Sequence, residues 1–173
     1  MRHGRTIRTK PRNGIAVTEV LSTVLVSELV YPSRELWLVS GWVSDVAVLK
    51  NSMGEFDDLL MDSQTGVPTL GDVLVRLSWL GAHINVAVRE DPHNEAFIDL
   101  LRRRCDPSHL AVYKSPDLHE KFLCGDDWVM KGSMNFTWSG LNLHEESIEL
   151  VVDAIEAARH RLEFNVRWGV DSQ

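Results

Sequence analysis

The sequence predicts an α/β domain, with a mixed, mostly parallel central sheet and helices on both faces. Three observations carry that prediction. Stretches with apolar side chains at helical spacing alternate with short, apolar, β-prone stretches along the first two thirds of the chain. The 173 residues suffice for one core and show no internal repeat, low-complexity tract or linker. Hydrophobic residues make up 44% and charged residues 25%, the usage of a folded domain rather than of a disordered or fibrous chain.

In chain order, residues 15 to 30 (IAVTEVLSTVLVSELV) keep Glu19, Ser22 and Glu28 off an apolar stripe and read as an amphipathic helix. Tyr31-Pro32-Ser33 ends it, because the residue before a proline is pushed out of the α region. Residues 35 to 40 (ELWLVS) read as a buried strand. Residues 51 to 68 contain Gly54, Gly66 and Pro68 and read as irregular. Helical spacing returns over residues 70 to 80, and residues 83 to 89 (HINVAVR) alternate as a strand. Pro92 stands where a helix would start, and residues 94 to 104 continue it into Arg102, Arg103 and Arg104, cations suited to a helix C-terminus. Residues 109 to 113 form a further strand. Residues 118 to 124 and 128 to 131 are partner strands joined by the turn Gly125-Asp126-Asp127. A helix or helical turn starts within residues 134 to 139, and SIELVV, residues 147 to 152, is strand-like.

The net charge of −7 and pI near 5.4 argue against nucleic-acid binding by overall charge, yet leave room for a local basic pocket. The exception is the beginning, where Arg2, Arg5, Arg8, Lys10 and Arg12 occur with no acidic residue. Residues 1 to 14 are expected to be a flexible basic arm ahead of a single domain over 15 to 173. Such an arm suits phosphate contacts, a frayed solvated terminus or, by composition, an organellar presequence. The start lacks the apolar core of a secretory signal, and no apolar run reaches the roughly 20 residues that span a membrane. Cys105 and Cys124 are too few for a zinc site alone or a disulfide framework, and are expected to be reduced, in a cytoplasmic protein.

The chemistry concentrates in residues 118 to 150. On a strand, residues two apart share a face, so His119 and Lys121 project together while Glu120 and Phe122 point the other way. Gly132 and Ser133 follow the second strand. Asn135 stands where a helical turn begins, and free backbone N–H groups there favour an anion. An imidazole, an ammonium and an amide thus converge on one phosphate-sized space.

His119-Glu120-Lys121, four residues, Asp126, then Gly132-Ser133-Met134-Asn135 resembles the H-x-K…D…G-S-x-N signature of the phospholipase D-like superfamily. Six fixed positions in one order are far more specific than a lone H-x-K. Phe136-Thr137 also fits. The gap from Asp126 to Gly132 is one residue shorter than the family's, which bears on Asp126 and its hairpin rather than on His119, Lys121 or Asn135.

The resemblance implies the phospholipase D-like fold and a metal-independent phosphodiesterase, nuclease-type, with no cofactor. It implies that His119 attacks phosphorus to form a phosphohistidine, with Lys121 and Asn135 on the non-bridging oxygens. Ser133 would donate to the same oxygens or support the site. An acidic residue after the Asn would orient His119 from its other ring nitrogen; by spacing the candidates are Glu146, Glu149 and Glu145, in that order. Asp126 and Gly132 are structural parts of the motif. One motif per chain implies a homodimer, in which the second chain's His119 is the general acid. The interface is expected beside the turn 132 to 135, near Trp138 and Leu141.

The remaining histidines, His3, His83, His93, His109, His144 and His160, lack the H-x-K context and read as structural. The tryptophans at 37, 42, 79, 128, 138 and 168 either pack the core or stack bases. Trp42 and Trp138, each beside a loop, are the rim candidates, Trp138 as a substrate contact. The resemblance implies nucleic acid as the substrate, small single-motif members being more often nucleases, and no Trp-rich amphipathic helix with a basic face suggests lipid docking. The alternatives are a phospholipid phosphodiesterase, or a non-catalytic nucleic-acid-binding subunit of a larger defence or repair complex.

Overall fold

A computed structural model describes residues 3–9, 16–50, 54, 60, 67–142 and 146–169. Strand β1 (His3–Thr9) comes first, then helix α1 (Val17–Val30), started by the Glu19 carboxylate, which accepts from the Ala16 N–H at 3.2 Å. Strand β2 (Glu35–Ser40) is buried from Leu36 onward. Helix α2 (Leu70–Trp79) opens with a reciprocal cap: the Asp72 N–H donates to the Thr69 hydroxyl, and the Asp72 carboxylate accepts from the Thr69 N–H. Strand β3 (His83–Arg89), a 3₁₀ turn (Pro92–Asn94), helix α3 (Glu95–Arg104) and strand β4 (Leu110–Ser115) follow. Strands β5 (Lys121–Cys124) and β6 (Trp128–Gly132), the short helix α4 (Trp138–Asn142), strand β7 (Glu146–Val152), helix α5 (Ala154–Phe164) and a π-helical turn (Asn165–Gly169) come next.

The strands form one sheet in the order β1-β7-β6-β5-β2-β3-β4. Strands β2, β3 and β4 are parallel; every other neighbour is antiparallel. Among the described residues, two pairings are therefore parallel and four antiparallel, which corrects the expectation of a mostly parallel sheet. The physical reason lies in the connections. Helical crossovers link β2, β3 and β4 and allow parallel pairing, whereas the tight turn from β5 to β6 enforces an antiparallel hairpin.

Helices cover both faces, as expected. Alternation along β2 sends Leu36 and Leu38 to one face, against Leu21, Leu25, Leu74 and Ile98 of α1, α2 and α3. Trp37 and Val39 face the other way, with Ala157 and Phe164 of α5. Helix α5 has no counterpart in the sequence reading. Its buried Ala157 and Phe164 are interspersed with exposed Ile155 and Leu162, which blurs the apolar stripe.

The basic beginning of the chain, expected as an arm, contributes β1 over His3–Thr9, paired with β7 from His3 opposite Val152 to Thr9 opposite Glu146. Arg2, Lys10 and Arg12 lie outside the described residues, as does most of the segment 51 to 68. Cys105 and Cys124 are both free and buried, and burial pushes the Cys124 thiol up to about 12. Among the described residues, no helix is long and apolar enough to cross a membrane.

The topology brings distant segments to one edge of the sheet. Ser40, at the carboxyl end of β2, pairs with Lys121 at the amino end of antiparallel β5. Phe122 pairs in turn with Lys131 near the end of β6. Arg89 ends β3 on the same side. In open α/β sheets this carboxyl edge of the parallel strands is where ligands bind.

Candidate active site

His119 is exposed and stands two residues before β5, which begins at Lys121 rather than at 118 as the sequence suggested. Its Nε2 lies 2.9 Å from Nη2 of Arg89, and its ring stands edge-on to Trp42, centroids 6.1 Å apart. The Arg89 guanidinium sits over the Trp42 ring, 4.9 Å from its centroid, and its Nε donates to the Pro116 carbonyl at 3.2 Å. Trp42 Nε1 donates to Asp91 Oδ2 at 3.4 Å. The His93 backbone N–H, helped by Trp42 and the nearby Arg89 charge, holds the Asp91 carboxyl below its ordinary value.

Asn94 ties this group together. Its buried amide donates to the Arg89 carbonyl at 2.8 Å and the Gly41 carbonyl at 3.0 Å, and accepts from the Val43 N–H at 2.8 Å. One side chain therefore fixes the end of β3 against the loop that carries Trp42.

Lys121 Nζ donates to the backbone carbonyl of His119. After β6, the Ser133 hydroxyl donates to Glu146 and accepts from the Ser147 N–H at 3.1 Å. Asn135 follows, with Oδ1 buried and without a hydrogen-bond partner. That oxygen lies beside Gly41, 3.7 Å from where a Cβ on Gly41 would stand. Close approach requires glycine at two places. A Cβ on Gly132 would come 2.2 Å from the Ser147 carbonyl oxygen, and one on Gly140 would come 2.3 Å from the Asn135 carbonyl oxygen. Together they hold the 133–135 turn against β7 and α4.

A family profile described as "Cardiolipin synthase, PLD-like domain" matches residues 58–168, more than half of the chain. The chain belongs to the phospholipase D-like family. Its fold is similar to that of Nuc from Salmonella typhimurium, a phospholipase D family member: TM-score 0.61 at 13% identity, covering 95% of this chain and 91% of that one. NucT from Helicobacter pylori gives a TM-score of 0.63 at 10% identity, covering 95% and 94%. The archaeal chromatin protein TrmBL2 gives 0.51 at 14% identity, covering 95% and 51%. At these identities the likeness speaks for the fold. No curated protein matches by sequence.

The phospholipase D-like fold thus places His119, Lys121, Ser133 and Asn135 at one edge of the sheet. Of the acidic candidates, Glu146 takes the Ser133 hydroxyl, and Glu149 pairs with Lys131 at 3.6 Å. Glu145 lies outside the described residues. Asp126 sits at the opposite edge, where its carboxylate accepts from the Arg34 N–H at 3.0 Å and Nε at 3.2 Å. It ties the β5–β6 turn to the segment before β2. Trp138 is 60% exposed, whereas Leu141, expected at an interface, is packed into the core. Trp37 and Trp128 are core residues. Among the other histidines, His93 bonds Ser44, His109 bonds Asp106, and His83 stacks edge-on to His109. His160 is buried beside Phe122, and burial lowers its pKa. His144 and the His3 side chain lie outside the description.

Two site residues escape the sequence reading: Arg89 and Asn94. The available signal for Arg89 was an arginine ending a buried strand that is followed by a crossover helix. Asn94 resembles an ordinary helix-start residue, yet its side chain makes no cap hydrogen bond and serves the site loop instead.

Proposed function

We propose that this chain is a metal-independent phosphodiesterase acting on nucleic acid, with His119 as nucleophile and a site completed by a second copy of the chain. The observation that carries this reading is the gathering of His119 and Lys121, at the start of β5, with Ser133 and Asn135, in the turn after β6, at the carboxyl edge of the parallel strands of a phospholipase D-like sheet.

A phosphodiester anion repels a water nucleophile, so a side-chain nucleophile divides the barrier. Nε2 of His119 forms a bond to phosphorus while the bond to the leaving oxygen breaks. The partner chain's imidazolium supplies the proton that the leaving oxygen needs. That second imidazole then takes a proton from water, the hydroxide attacks phosphorus, and the P–N bond breaks to restore His119. Lys121 and Asn135 hold the non-bridging oxygens as charge shifts onto them. Ser133, engaged by Glu146, braces the turn that carries Asn135.

Nucleic acid is favoured by exposed Trp138, whose ring suits base stacking. TrmBL2, a fold neighbour, is described as binding DNA. The second reading, a phospholipid diester, is favoured by the name of the matching family, cardiolipin synthase. Single-stranded and duplex nucleic acid, and vesicles containing phosphatidylglycerol, should be offered side by side in excess EDTA. Cleavage of nucleic acid without release of lipid headgroup is the expected result. Headgroup release alone would transfer the assignment to lipid, and activity that EDTA abolishes and magnesium restores would overturn the mechanism.

A further inference from the structure

Among the described residues, Arg89 is the one strong cation in contact with the proposed nucleophile's ring, and the family motif does not include it. Its charge reaches the Asp91 carboxylate, which bonds Trp42 and the His93 N–H rather than the guanidinium. Among the described residues, no carboxylate lies within ion-pair distance of its guanidinium. Its stem is anchored instead by the Pro116 carbonyl at Nε and by the face of Trp42. Both anchors leave the Nη2 end directed at His119.

That contact sets which ring nitrogen accepts. A guanidinium only donates hydrogen bonds, so Nε2 of His119 must accept, and the neutral ring carries its proton on Nδ1. This is the tautomer a nucleophilic Nε2 requires. The same lone pair cannot serve Arg89 and a phosphorus atom together, so one of the two partners must give way. Arginine's planar fork matches the paired oxygens of a phosphodiester, and a charge-assisted bond to a phosphate oxygen is stronger than one to a neutral imidazole.

We infer that Arg89 is a further phosphate-binding residue of this site: in the free protein it occupies the Nε2 lone pair of His119, and an incoming phosphodiester draws it onto a non-bridging oxygen, releasing the nucleophile. No proton is transferred and no covalent bond changes in this step; one hydrogen bond is exchanged for another. Asn94 and Asp91 act as positioning residues, holding the Arg89 backbone and the Trp42 ring over which the guanidinium pivots. The inference rests on the phosphodiesterase reading for its substrate, but the anion contact itself is separable from turnover.

The experiment compares wild type with Arg89→Ala and Arg89→Lys by two readouts. The first is turnover of bis(p-nitrophenyl) phosphate, with inorganic phosphate as inhibitor. The second is the ¹⁵N signal of His119 Nε2 as phosphate is added. Arg89→Ala should raise KM and the inhibition constant of phosphate by about 10-fold or more, with a smaller effect on kcat because the lone pair is already free. Arg89→Lys should recover part of KM. In wild type, phosphate should shift the Nε2 signal towards that of an unbonded acceptor. In Arg89→Ala the free protein should already show that signal. Constants within about two-fold of wild type in the alanine variant, or an Nε2 signal that answers phosphate equally in both proteins, would overturn the inference. If the alanine variant fails to fold, unchanged KM in Arg89→Lys does the same. Should wild type cleave no diester, the phosphodiesterase reading fails, while a phosphate-dependent Nε2 shift lost in Arg89→Ala would still place an anion on Arg89.

Discussion

At the residue scale, the four motif side chains do different work and should fail differently. In the proposed mechanism Lys121 and Asn135 contact oxygens whose charge grows in the transition state, so replacing either with alanine should lower kcat by about 10²- to 10³-fold, with melting temperature little changed. Ser133 bonds Glu146 and the Ser147 N–H rather than standing free, so Ser133→Ala should act in part through the position of Asn135 and cost less. Steady-state kinetics beside thermal melts of the three variants decide this; equal losses in all three, matched by lost stability, would point to a structural role. The motif residues were legible because they lie close together in sequence and because the residue types are themselves the chemistry. Arg89 was not legible. It stands 30 positions from His119, and only the pairing of β2 with both β3 and β5 brings the two together.

The decisive element is the loop that leaves β2. It carries Trp42, and Asn94 fastens it to the end of β3 by three hydrogen bonds. Asn94→Ala would strand the Val43 N–H and two carbonyls in a buried place, which should cost about 1–3 kcal/mol. Denaturant unfolding should show that loss, and kcat/KM should fall with it, because Trp42 and Arg89 lose their common support. A stability loss with unchanged kinetics would show that the loop is dispensable for the site. Gly132→Ala probes the other side, where a Cβ would meet the Ser147 carbonyl oxygen at 2.2 Å. Element types were readable from periodicity in the first two thirds of the chain. Strand direction was readable only for the hairpin of β5 and β6, from the turn 125–127; the antiparallel pairings of β1 with β7, β7 with β6 and β5 with β2 join segments that no tight turn links.

For the whole molecule, the proposed mechanism calls for two chains. Each chain carries one H-x-K imidazole, and the two-step reaction uses a nucleophile and a separate proton donor. Two-fold pairing at the His119 edge would supply both. Mixing wild type with His119→Ala under conditions of subunit exchange should lower activity more steeply than the wild-type fraction, because every heterodimer holds one crippled site. Strict proportionality would mean that each chain works alone. The N-terminal basic segment also acts at this scale. Since His3–Thr9 covers the β7 edge, removing residues 2 to 12 should reduce stability as well as flatten the salt dependence of nucleic-acid binding.

The most direct test of the central claim is turnover of bis(p-nitrophenyl) phosphate in excess EDTA by wild type and by His119→Ala, with circular dichroism confirming that both are folded. Wild type should retain full activity in the chelator, and His119→Ala should lose at least about 10³-fold in kcat. Near-wild-type turnover by the His119→Ala protein would contradict the account.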